Sequence, residues 1–330
     1  MIADAETVDV VIIGAGESIK SDGCLFSSSF PPTEAYRNAT GWYGLVAAKT
    51  YLKLCPAVNL VVLDTDSTVG GVWSKKRLYP NLVAQVKLGL FNYTDMPMSG
   101  KGRTKNDMVT GKMIHDYLQS YAEDHDIIRR IRFNNFVQNA SKINQGWRLS
   151  IRNLQESESF LDTAKLLVCT GVTSIPSMPT FKTINPSMPI IHSRDLGAAF
   201  HNLGQDNIQT VVVVGAAKSA YDAVYLLLSM GKRVIWLIRP NGAGPLAILP
   251  SELLGYFNSV AVASTRFMTY LSPSILNTDG VLYRFFQKSI IGRWCTGKIW
   301  DAIAYLSDHH AGYGSGDHVS QLRPEVDRQR

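Results

Sequence analysis

The sequence predicts an α/β fold made of two β-α-β units, followed by a helical C-terminal segment. The first observation is the stretch "VDVVIIGAG" (8–16), an apolar β-branched run that ends in glycine. The second is "TVVVVGAA" (210–217), which repeats this pattern later in the chain. Such runs are typical of strands buried on both faces of a parallel sheet. Each is followed by a helical pattern and a second apolar run, "NLVVLD" (59–64) or "RVIWLIR" (233–239), so both units are Rossmann-like.

The elements between these two units follow from hydrophobic periodicity. Residues 45–54 and 107–127 have helical spacing, and residues 128–154 alternate between apolar and polar side chains as strands do. Residues 160–171, "FLDTAKLLVCTG", predict one more strand, which completes the first unit.

The later part of the chain is divided by a proline-rich connection. Four prolines between residues 176 and 189 forbid regular structure and predict a domain crossing. Residues 251–271 and 280–306 have a helical pattern with aromatic side chains on the apolar faces. We expect a first nucleotide-binding domain at 1–175, a second at 176–245 and a helical region at 246–330.

Composition restricts the function classes. The net charge is +6, but the Lys and Arg residues are scattered, which argues against nucleic-acid binding. No apolar run is long and uncharged enough for a membrane span, and the acidic start "MIADAETVDV" predicts a strand rather than a signal peptide. We therefore expect a cytoplasmic protein. The four cysteines form no CxxC pair or metal-type cluster, so reduced, mostly buried thiols and no metal site are expected.

The first glycine turn is interrupted. The dinucleotide pattern G-x-G-x-x-G begins with Gly14 and Gly16, but no third glycine follows in register. Removing the 25 residues from Glu17 to Gly41 places Gly44 three positions after Gly16. Asp64 lies 20 positions after Gly44. Both are the spacings that a pyrophosphate turn and its ribose-binding acid require.

The interrupting block, residues 17–41, differs in composition from its surroundings. It is rich in Ser, Pro and Thr and has no periodicity. One hypothesis is that it is translated intervening sequence, from an unspliced message or an imperfect gene assignment. The other is that it is a genuine loop that bulges outward while the turn re-forms behind it.

The second turn suits a different nucleotide. The stretch from Gly215 to Ala220, "GAAKSA", has the G-x-x-x-x-A skeleton at the start of a helix. Its first-turn residues Lys218 and Ser219 are candidate phosphate contacts. Arg239 ends the following strand, where the first unit has Asp64. A carboxylate accepts from a ribose 2′-hydroxyl, whereas a guanidinium accommodates a 2′-phosphate, so the first unit suits FAD and the second suits NADPH.

Five motifs follow one another along the chain: the interrupted glycine turn, "LDTDSTVGGVW" (63–73), "FNNFVQNASK" (133–142), "VCTG" (168–171) and the turn "GAAKSA" (215–220). In this order they resemble those of the flavin-dependent monooxygenases, the group of flavin-containing monooxygenases and Baeyer–Villiger enzymes. The fungal members linked to secondary metabolism are most similar. The resemblance covers about residues 7–240, apart from the block. It implies a three-layer ββα type FAD domain plus an NADP domain. The implied FAD contacts are Gly14, Gly16, Gly44, Asp64, Gly70, Gly71, Trp73, the backbone of Val137, Thr170 and Gly171; the implied NADPH contacts are Gly215, Lys218, Ser219, Ala220 and Arg239.

The resemblance also implies a reaction. NADPH would reduce FAD, and the reduced flavin would react with O2 to a C4a-peroxyflavin that inserts one oxygen atom into a small organic substrate. Two positions depart from the family pattern: His192 carries over only as a linker residue, and Asn92 does not align as a catalytic residue, so no catalytic residue is assigned. A flavin disulfide reductase is a second enzyme alternative, because it has the same double nucleotide-binding plan. It would need a redox CxxC-type pair, which this sequence lacks.

The end of the chain departs from the family as well. Nothing after Arg239 has the pattern of the family's last FAD-domain strand and helix, so we expect the front part of a longer enzyme. The alternative function is therefore an inactive or weakly nucleotide-binding remnant of such an enzyme. The aromatic residues within 250–306 are expected mainly in core packing, with a substrate pocket as the alternative.

Overall fold

The structure is a computed structural model whose described residues form two compact units. These residues are 5–13, 40–104, 107–171, 176–179, 188–239, 249–250, 252–253, 256–263, 265–273 and 280–311. The described parts of Met1–Leu82 and Thr110–Phe200 form the first unit, and those of Val83–Val109 and His201–Arg330 form the second. The predicted domain boundaries at residues 175 and 245 stay a prediction.

The first unit is built on one six-stranded sheet. The unit begins with β1 (Glu6–Ile13), α1 (Trp42–Leu54) and β2 (Leu60–Leu63). The chain then forms β3 (Val83–Lys87) and β4 (Met108–Thr110), which pair with each other outside this sheet. The unit continues with α2 (Gly111–Asp124), β5 (Ile131–Arg132), β6 (Asn135–Ile143), β7 (Gly146–Asn153) and β8 (Glu158–Val168). The strand order is β5-β2-β1-β8-β7-β6. Strands β5, β2, β1 and β8 run parallel, whereas β6, β7 and β8 form an antiparallel meander.

The core of the first unit follows from the sequence pattern of its central strands. All four residues of β2 and the last four of β1 are buried, as a parallel strand covered on both faces requires. One hydrophobic cluster joins β1 and β2 to the meander through Val11, Leu63, Val137, Leu149 and Leu161. This packing fixes the carboxyl ends of β1, β2 and β8 relative to one another.

The helical pattern predicted over 107–127 is partly wrong. Residues Met108–Thr110 form β4, which pairs with β3, and α2 begins only at Gly111. The reason is a cap: the Thr110 side chain accepts a 3.3 Å hydrogen bond from the N–H of Met113, which fixes the helix start. A β-carbon at Gly111 would lie 2.8 Å from the Leu82 side chain, so a larger residue at this first helical position would displace that side chain.

The second unit contains the other β-α-β unit and the C-terminal helices. After α3 (Leu196–Leu203), its elements are β9 (Thr210–Val214), α4 (Lys218–Ser229), β10 (Arg233–Leu237), β11 (Glu252–Leu253), β12 (Phe257–Asn258), α5 (Ser259–Ala263), α6 (Arg266–Tyr270), α7 (Val281–Lys288) and α8 (Ile290–His310). Strands β9 and β10 are a parallel pair, and several of their apolar side chains are half-exposed. The predicted α/β fold with a parallel-rich sheet and a helical C-terminal segment is confirmed.

Two expectations for this part of the chain need correction. Residues 252–253 and 257–258 were expected in a helix, but they form β11 and β12, which pair antiparallel, and the N–H of Tyr256 donates a 3.1 Å bond to the Leu253 carbonyl. Cys55 is exposed rather than buried, and Cys169 and Cys295 are half-buried; Cys24 lies outside the described residues. No helix within the described ranges has the length and apolar character to cross a membrane.

Candidate functional site

The carboxyl ends of three parallel strands meet at one edge of the first sheet. Ile13, the last residue of β1, is paired with Leu63 of β2 on one side and with Val168 of β8 on the other. The N–H of Cys169 also donates a 2.8 Å bond to the Ile13 carbonyl. The residue that follows β2, Asp64, therefore leaves the sheet at the edge where ligands bind in parallel α/β folds.

Helix α1 begins beside this edge, and its start identifies a glycine that sequence reasoning missed. Gly14 and Gly16 lie outside the described residues. Gly41 is the N-cap of α1, with extended backbone (φ −81°, ψ −171°), and its carbonyl accepts a 3.2 Å bond from Leu45. The buried Gly44 follows three positions later in the first turn. Gly41 thus holds the place of the second glycine of the pattern, and the spacing in "GWYG" was the signal for it.

The boundary of the interrupting block is ambiguous for a simple reason. Because residues 16 and 41 are both glycine, removing 16–40 gives the same polypeptide as removing 17–41. The structure uses Gly41 at the helix start and also uses its neighbour Thr40, whose carbonyl accepts a 2.9 Å bond from the N–H of Gly70. The end of the block is therefore an integral part of this site.

Asp64 is a buried carboxylate held entirely by the protein. Only 1% of the residue is exposed. Its Oδ2 accepts from the N–H and the hydroxyl of Thr40, each at 2.7 Å, and its Oδ1 accepts from the N–H of Asp66, also at 2.7 Å. Burial raises the pKa of Asp64 to about 6, against the opposing effect of these hydrogen bonds.

The glycine pair that follows β2 adopts a conformation that requires glycine. Gly70 has φ +121°, and a β-carbon there would lie 2.7 Å from the Trp73 carbonyl oxygen. Gly71 has φ +61° and lies next to Gly41, since a β-carbon on Gly41 would be 3.7 Å from the Gly71 Cα. The predicted residues Gly70, Gly71 and Gly44 are thus gathered around the start of α1.

The short helix that follows places Trp73 against α2. Its carbonyl lies 3.1 Å from Nδ1 of His115, a hydrogen-bond distance. Burial lowers the pKa of His115. Trp73 is half-buried, so its indole is partly open to solvent.

A buried charge cluster, which sequence reasoning missed, supports the same loop. Asp66 is fully buried and forms ion pairs with Lys76 and with Arg77, whose Nη2 lies 3.6 Å from Oδ2. Within the described residues, these charges rather than hydrogen bonds satisfy the Asp66 oxygens. Burial lowers the pKa of Arg77 although Asp66 opposes that shift. The cluster ties the segment after β2 to the segment after Trp73.

The other residues predicted for the first unit occupy the same edge or the core. Val137 is 2% exposed and belongs to the core cluster, two residues beyond Asn135, whose N–H donates a 2.9 Å bond to the Asp64 carbonyl. Thr170 and Gly171 follow β8; Gly171 has φ +71°, and its carbonyl accepts a 3.2 Å bond from the Thr170 hydroxyl.

The two family departures have local roles. His192 caps a short helical turn, because its Nδ1 accepts a 3.1 Å bond from the N–H of Arg194. Asn92 donates a 3.0 Å bond to the carbonyl of Tyr93. Neither contact indicates a chemical role.

In the second unit, a glycine with positive φ directly follows the first strand. Gly215 follows β9 with φ +122°; its N–H donates 3.0 Å to the Leu237 carbonyl, and its own carbonyl accepts 2.6 Å from the Trp236 indole. Helix α4 begins at Lys218, with Ser219 in its first turn and Ala220 buried. The Lys218 ammonium bonds to the Val83 carbonyl (2.7 Å) and to Asp222, so in this structure it is held by protein groups.

The two charged residues predicted at equivalent places are offset by one position. Leu63 pairs with Ile13, and Leu237 pairs with Val214, so the two strand ends correspond. Asp64 follows its strand end directly, whereas Arg239 follows Leu237 by two residues and is exposed.

The contacts around α1 and Asp64 show how far the residues present would suit a bound dinucleotide. The glycines around the start of α1 leave room for close backbone approach, and the first-turn N–H groups of a helix suit a pyrophosphate. The Asp64 carboxylate, however, already accepts three hydrogen bonds from Thr40 and Asp66, and only 1% of the residue is exposed. Within the described residues, no group of His, Cys, Asp and Glu side chains could hold a metal ion.

Comparisons with known proteins agree with this geometry. Residues 51–253 match the family described as pyridine nucleotide-disulphide oxidoreductase. FAD-dependent monooxygenase DEP4 of Alternaria brassicicola is 42% identical over 287 residues, covering 86% of this chain and 48% of the relative. DEP4 of Fusarium langsethiae is 39% identical over 321 residues, covering 97% and 50%. The chain thus spans about half the length of the curated relatives it matches.

Solved structures match the fold at low sequence identity. Cyclohexanone-bound cyclohexanone monooxygenase in its rotated conformation has a TM-score of 0.53 at 16% identity, covering 98% of this chain and 62% of that chain. Tmm from a Pelagibacter strain has a TM-score of 0.51 at 19% identity, covering 71% and 51%.

Proposed function

The chain belongs to the pyridine nucleotide-disulphide oxidoreductase family and is a relative of the fungal FAD-dependent monooxygenases, and from this premise we propose an NADPH- and FAD-dependent monooxygenase. It would insert one oxygen atom from O2 into a small organic substrate of the secondary-metabolite type, in the cytoplasm. The chain's four cysteines contain no CxxC pair, so disulfide reduction by such a pair is not proposed despite the family description.

The observation that carries the proposal is the repetition of one β-α-β unit. In both units the two strands are parallel, and a glycine lies at or just before the helix start: Gly41 is the N-cap of α1, and Gly215 lies three residues before α4. Two such units are what an enzyme needs to bring a flavin and a nicotinamide together.

We assign FAD to the first unit. The N–H groups at the start of α1, beside Gly41 and Gly44, would bind the pyrophosphate, while Gly70, Gly71 and Trp73 would line the flavin. The remaining contacts proposed for FAD are Asp64 for the ribose, the Val137 backbone for adenine, and Thr170 and Gly171 after β8, together with Gly14 and Gly16 outside the described residues.

We assign NADPH to the second unit. Gly215 allows the tight turn, and Ser219 and Ala220 belong to the first turn of α4, where backbone N–H groups suit phosphate. The exposed Arg239 is the candidate for the 2′-phosphate. Lys218 could contribute a phosphate contact only after leaving the Val83 carbonyl and Asp222.

When bound, FAD and NADPH would supply the hydride-transfer and O2-activating chemistry of the reaction. The chain's own part is to bind and orient them. The buried Asp66 cluster holds the glycine loop in place. The His115 imidazole, whose pKa is lowered, holds the Trp73 carbonyl.

The proposal is tested by expressing the chain with and without residues 17–41. Bound flavin is measured by its visible absorbance and by release of FAD on denaturation, and turnover by substrate-dependent NADPH oxidation and O2 uptake. A yellow protein in either form supports the FAD assignment. If both forms fold, shown by a cooperative thermal transition, and neither binds FAD at saturating concentration, the proposal is wrong.

The alternative is a remnant with weak or no nucleotide binding, and one observation favours it. The carboxylate expected to bind ribose is buried and already accepts three hydrogen bonds from the protein itself. A remnant would leave both forms colourless, whereas a closed but competent site would bind FAD once the Thr40 contact is removed.

A further inference from the structure

The contact between Thr40 and Asp64 resembles the contact that a ribose would make. The Thr40 hydroxyl donates to Asp64 Oδ2 at 2.7 Å, the distance of a charge-assisted O–H···O bond. The same oxygen accepts from the Thr40 N–H at 2.7 Å, and Oδ1 accepts from the Asp66 N–H at 2.7 Å. A carboxylate has about four acceptor positions, so about one is left.

A ribose presents two neighbouring hydroxyl groups, and each must donate to the carboxylate to be recognised by it. With 1% of Asp64 exposed, neither hydroxyl could reach Oδ2 while the Thr40 side chain is in place. The Thr40 hydroxyl therefore occupies a donor position that a ribose hydroxyl would need.

Thr40 is held in this position from its other side as well. Its carbonyl accepts a 2.9 Å bond from the N–H of Gly70, and the next residue, Gly41, is the N-cap of α1. The residue is itself fully buried. The contact is thus part of an ordered turn that links α1, the carboxylate and the glycine loop.

We propose that Thr40 is an affinity-determining residue that competes, through its hydroxyl, with the ribose of an adenine dinucleotide for Asp64. This inference rests on the proposed function, because it takes the first unit as the dinucleotide site. It states what limits the affinity of this site for a dinucleotide: the Thr40 hydroxyl must leave Asp64 before a ribose hydroxyl can bind there.

The sequence itself indicates which residue should replace Thr40 in a test. When residues 17–41 are removed, Ala15 and Gly16 come to precede Trp42, so alanine takes the place of Thr40. A Thr40→Ala variant reproduces that side chain without shortening the chain. Thr40→Ser keeps the hydroxyl and is the control.

The experiment measures ADP and 2′,3′-dideoxy-ADP binding to the full chain by titration calorimetry, with thermal melting to show that each variant is folded. Thr40→Ala is expected to bind ADP about tenfold more tightly than the wild type, the effect of freeing one charged acceptor. Thr40→Ser should match the wild type. The gain should be absent for dideoxy-ADP, which has no hydroxyl to offer Asp64.

Three results would overturn the inference. Unchanged or weaker ADP binding by a folded Thr40→Ala variant would show that Thr40 does not compete. An equal gain for dideoxy-ADP would show that the side chain only obstructs the space. If no variant and no wild type binds either ligand, the dinucleotide site itself is absent, which refutes the proposed function together with this inference.

Discussion

The N–H of Gly70 donates a 2.9 Å hydrogen bond to the carbonyl of Thr40, which ties the glycine loop after β2 to the residue preceding the N-cap of α1. This bond brings together two segments that are 30 positions apart in the sequence. The need for glycine at position 70 has a separate cause, which is its φ of +121° and the closeness of the Trp73 carbonyl oxygen.

Replacing Gly70 with alanine should destabilise the fold by more than about 2 kcal/mol, because the new β-carbon combines φ +121° with a 2.7 Å approach to the Trp73 carbonyl oxygen. Gly89→Ala is the control, since Gly89 has φ +90° but nothing within 4 Å. Its loss should be about 1 kcal/mol, from backbone strain alone. Urea denaturation followed by circular dichroism measures both, and equal losses would contradict the steric argument.

Replacing Gly41 with alanine should separate folding from binding. The β-carbon would meet the Gly71 Cα at 3.7 Å, an ordinary contact, so the free energy of unfolding should change by less than about 1 kcal/mol. If the pyrophosphate binds at the start of α1 as proposed, the same β-carbon would hinder its approach to the backbone, and FAD affinity should fall about tenfold or more. Flavin fluorescence titration and thermal melting are the measurements. Unchanged FAD affinity would remove Gly41 from the binding turn.

Replacing Asp66 with asparagine should cost about 3 kcal/mol or more of stability, because it leaves the buried Arg77 guanidinium without its carboxylate. Asp301→Asn is the control: Asp301 forms a 3.1 Å pair with Lys298 in which both side chains are mostly exposed. That change should cost less than about 1 kcal/mol. Similar losses in the two variants, measured by urea denaturation, would show that Asp66 is not a structural charge.

The pH dependence of stability should report on Asp64. Its pKa in the folded protein is about 6, above the ordinary value of 3.8, so between these values the folded state binds more protons than the unfolded state. The contribution of Asp64 to stability is therefore present at about pH 4 and is lost as the pH rises through about 6, by an amount on the order of 1–3 kcal/mol. The free energy of unfolding, measured by urea titration at several pH values across this range, should fall with pH in the wild type but not in Asp64→Asn. The same pH dependence in both proteins would show that another group causes it.

Replacing Arg239 with alanine should raise the KM for NADPH about tenfold and leave the KM for NADH unchanged, because only the former carries the 2′-phosphate. Arg239 is exposed, so the melting temperature should not change. Arg233→Ala, an equally exposed arginine at the start of β10, is the control and should affect neither coenzyme. Parallel weakening of NADPH and NADH would exclude the assigned role.

Sequence patterns predicted the parts of this protein that depend on long hydrophobic periods. The apolar runs of β1, β2, β9 and β10 predicted two parallel pairs, and the count from Gly44 predicted Asp64 at the end of β2. These features follow from burial on both faces of a sheet, which leaves a strong signal in composition.

Other parts depend on contacts that no local pattern contains. The choice between Gly16 and Gly41 is invisible in sequence because the two residues are identical, and only the cap of α1 decides it. The pairing of Asp66 with Arg77 is a tertiary contact across a loop. The antiparallel pair of β11 and β12 is too short to outweigh a helical pattern, although Gly255 within that pattern weakens a helix.

The parallel pair of β9 and β10 has a practical consequence for handling the protein. Val212, Val214 and Leu237 are each at least half-exposed, and in the described structure both outer edges of this pair lack a neighbouring strand. Open strand edges beside apolar side chains are templates for intermolecular pairing. We therefore expect self-association that increases with protein concentration.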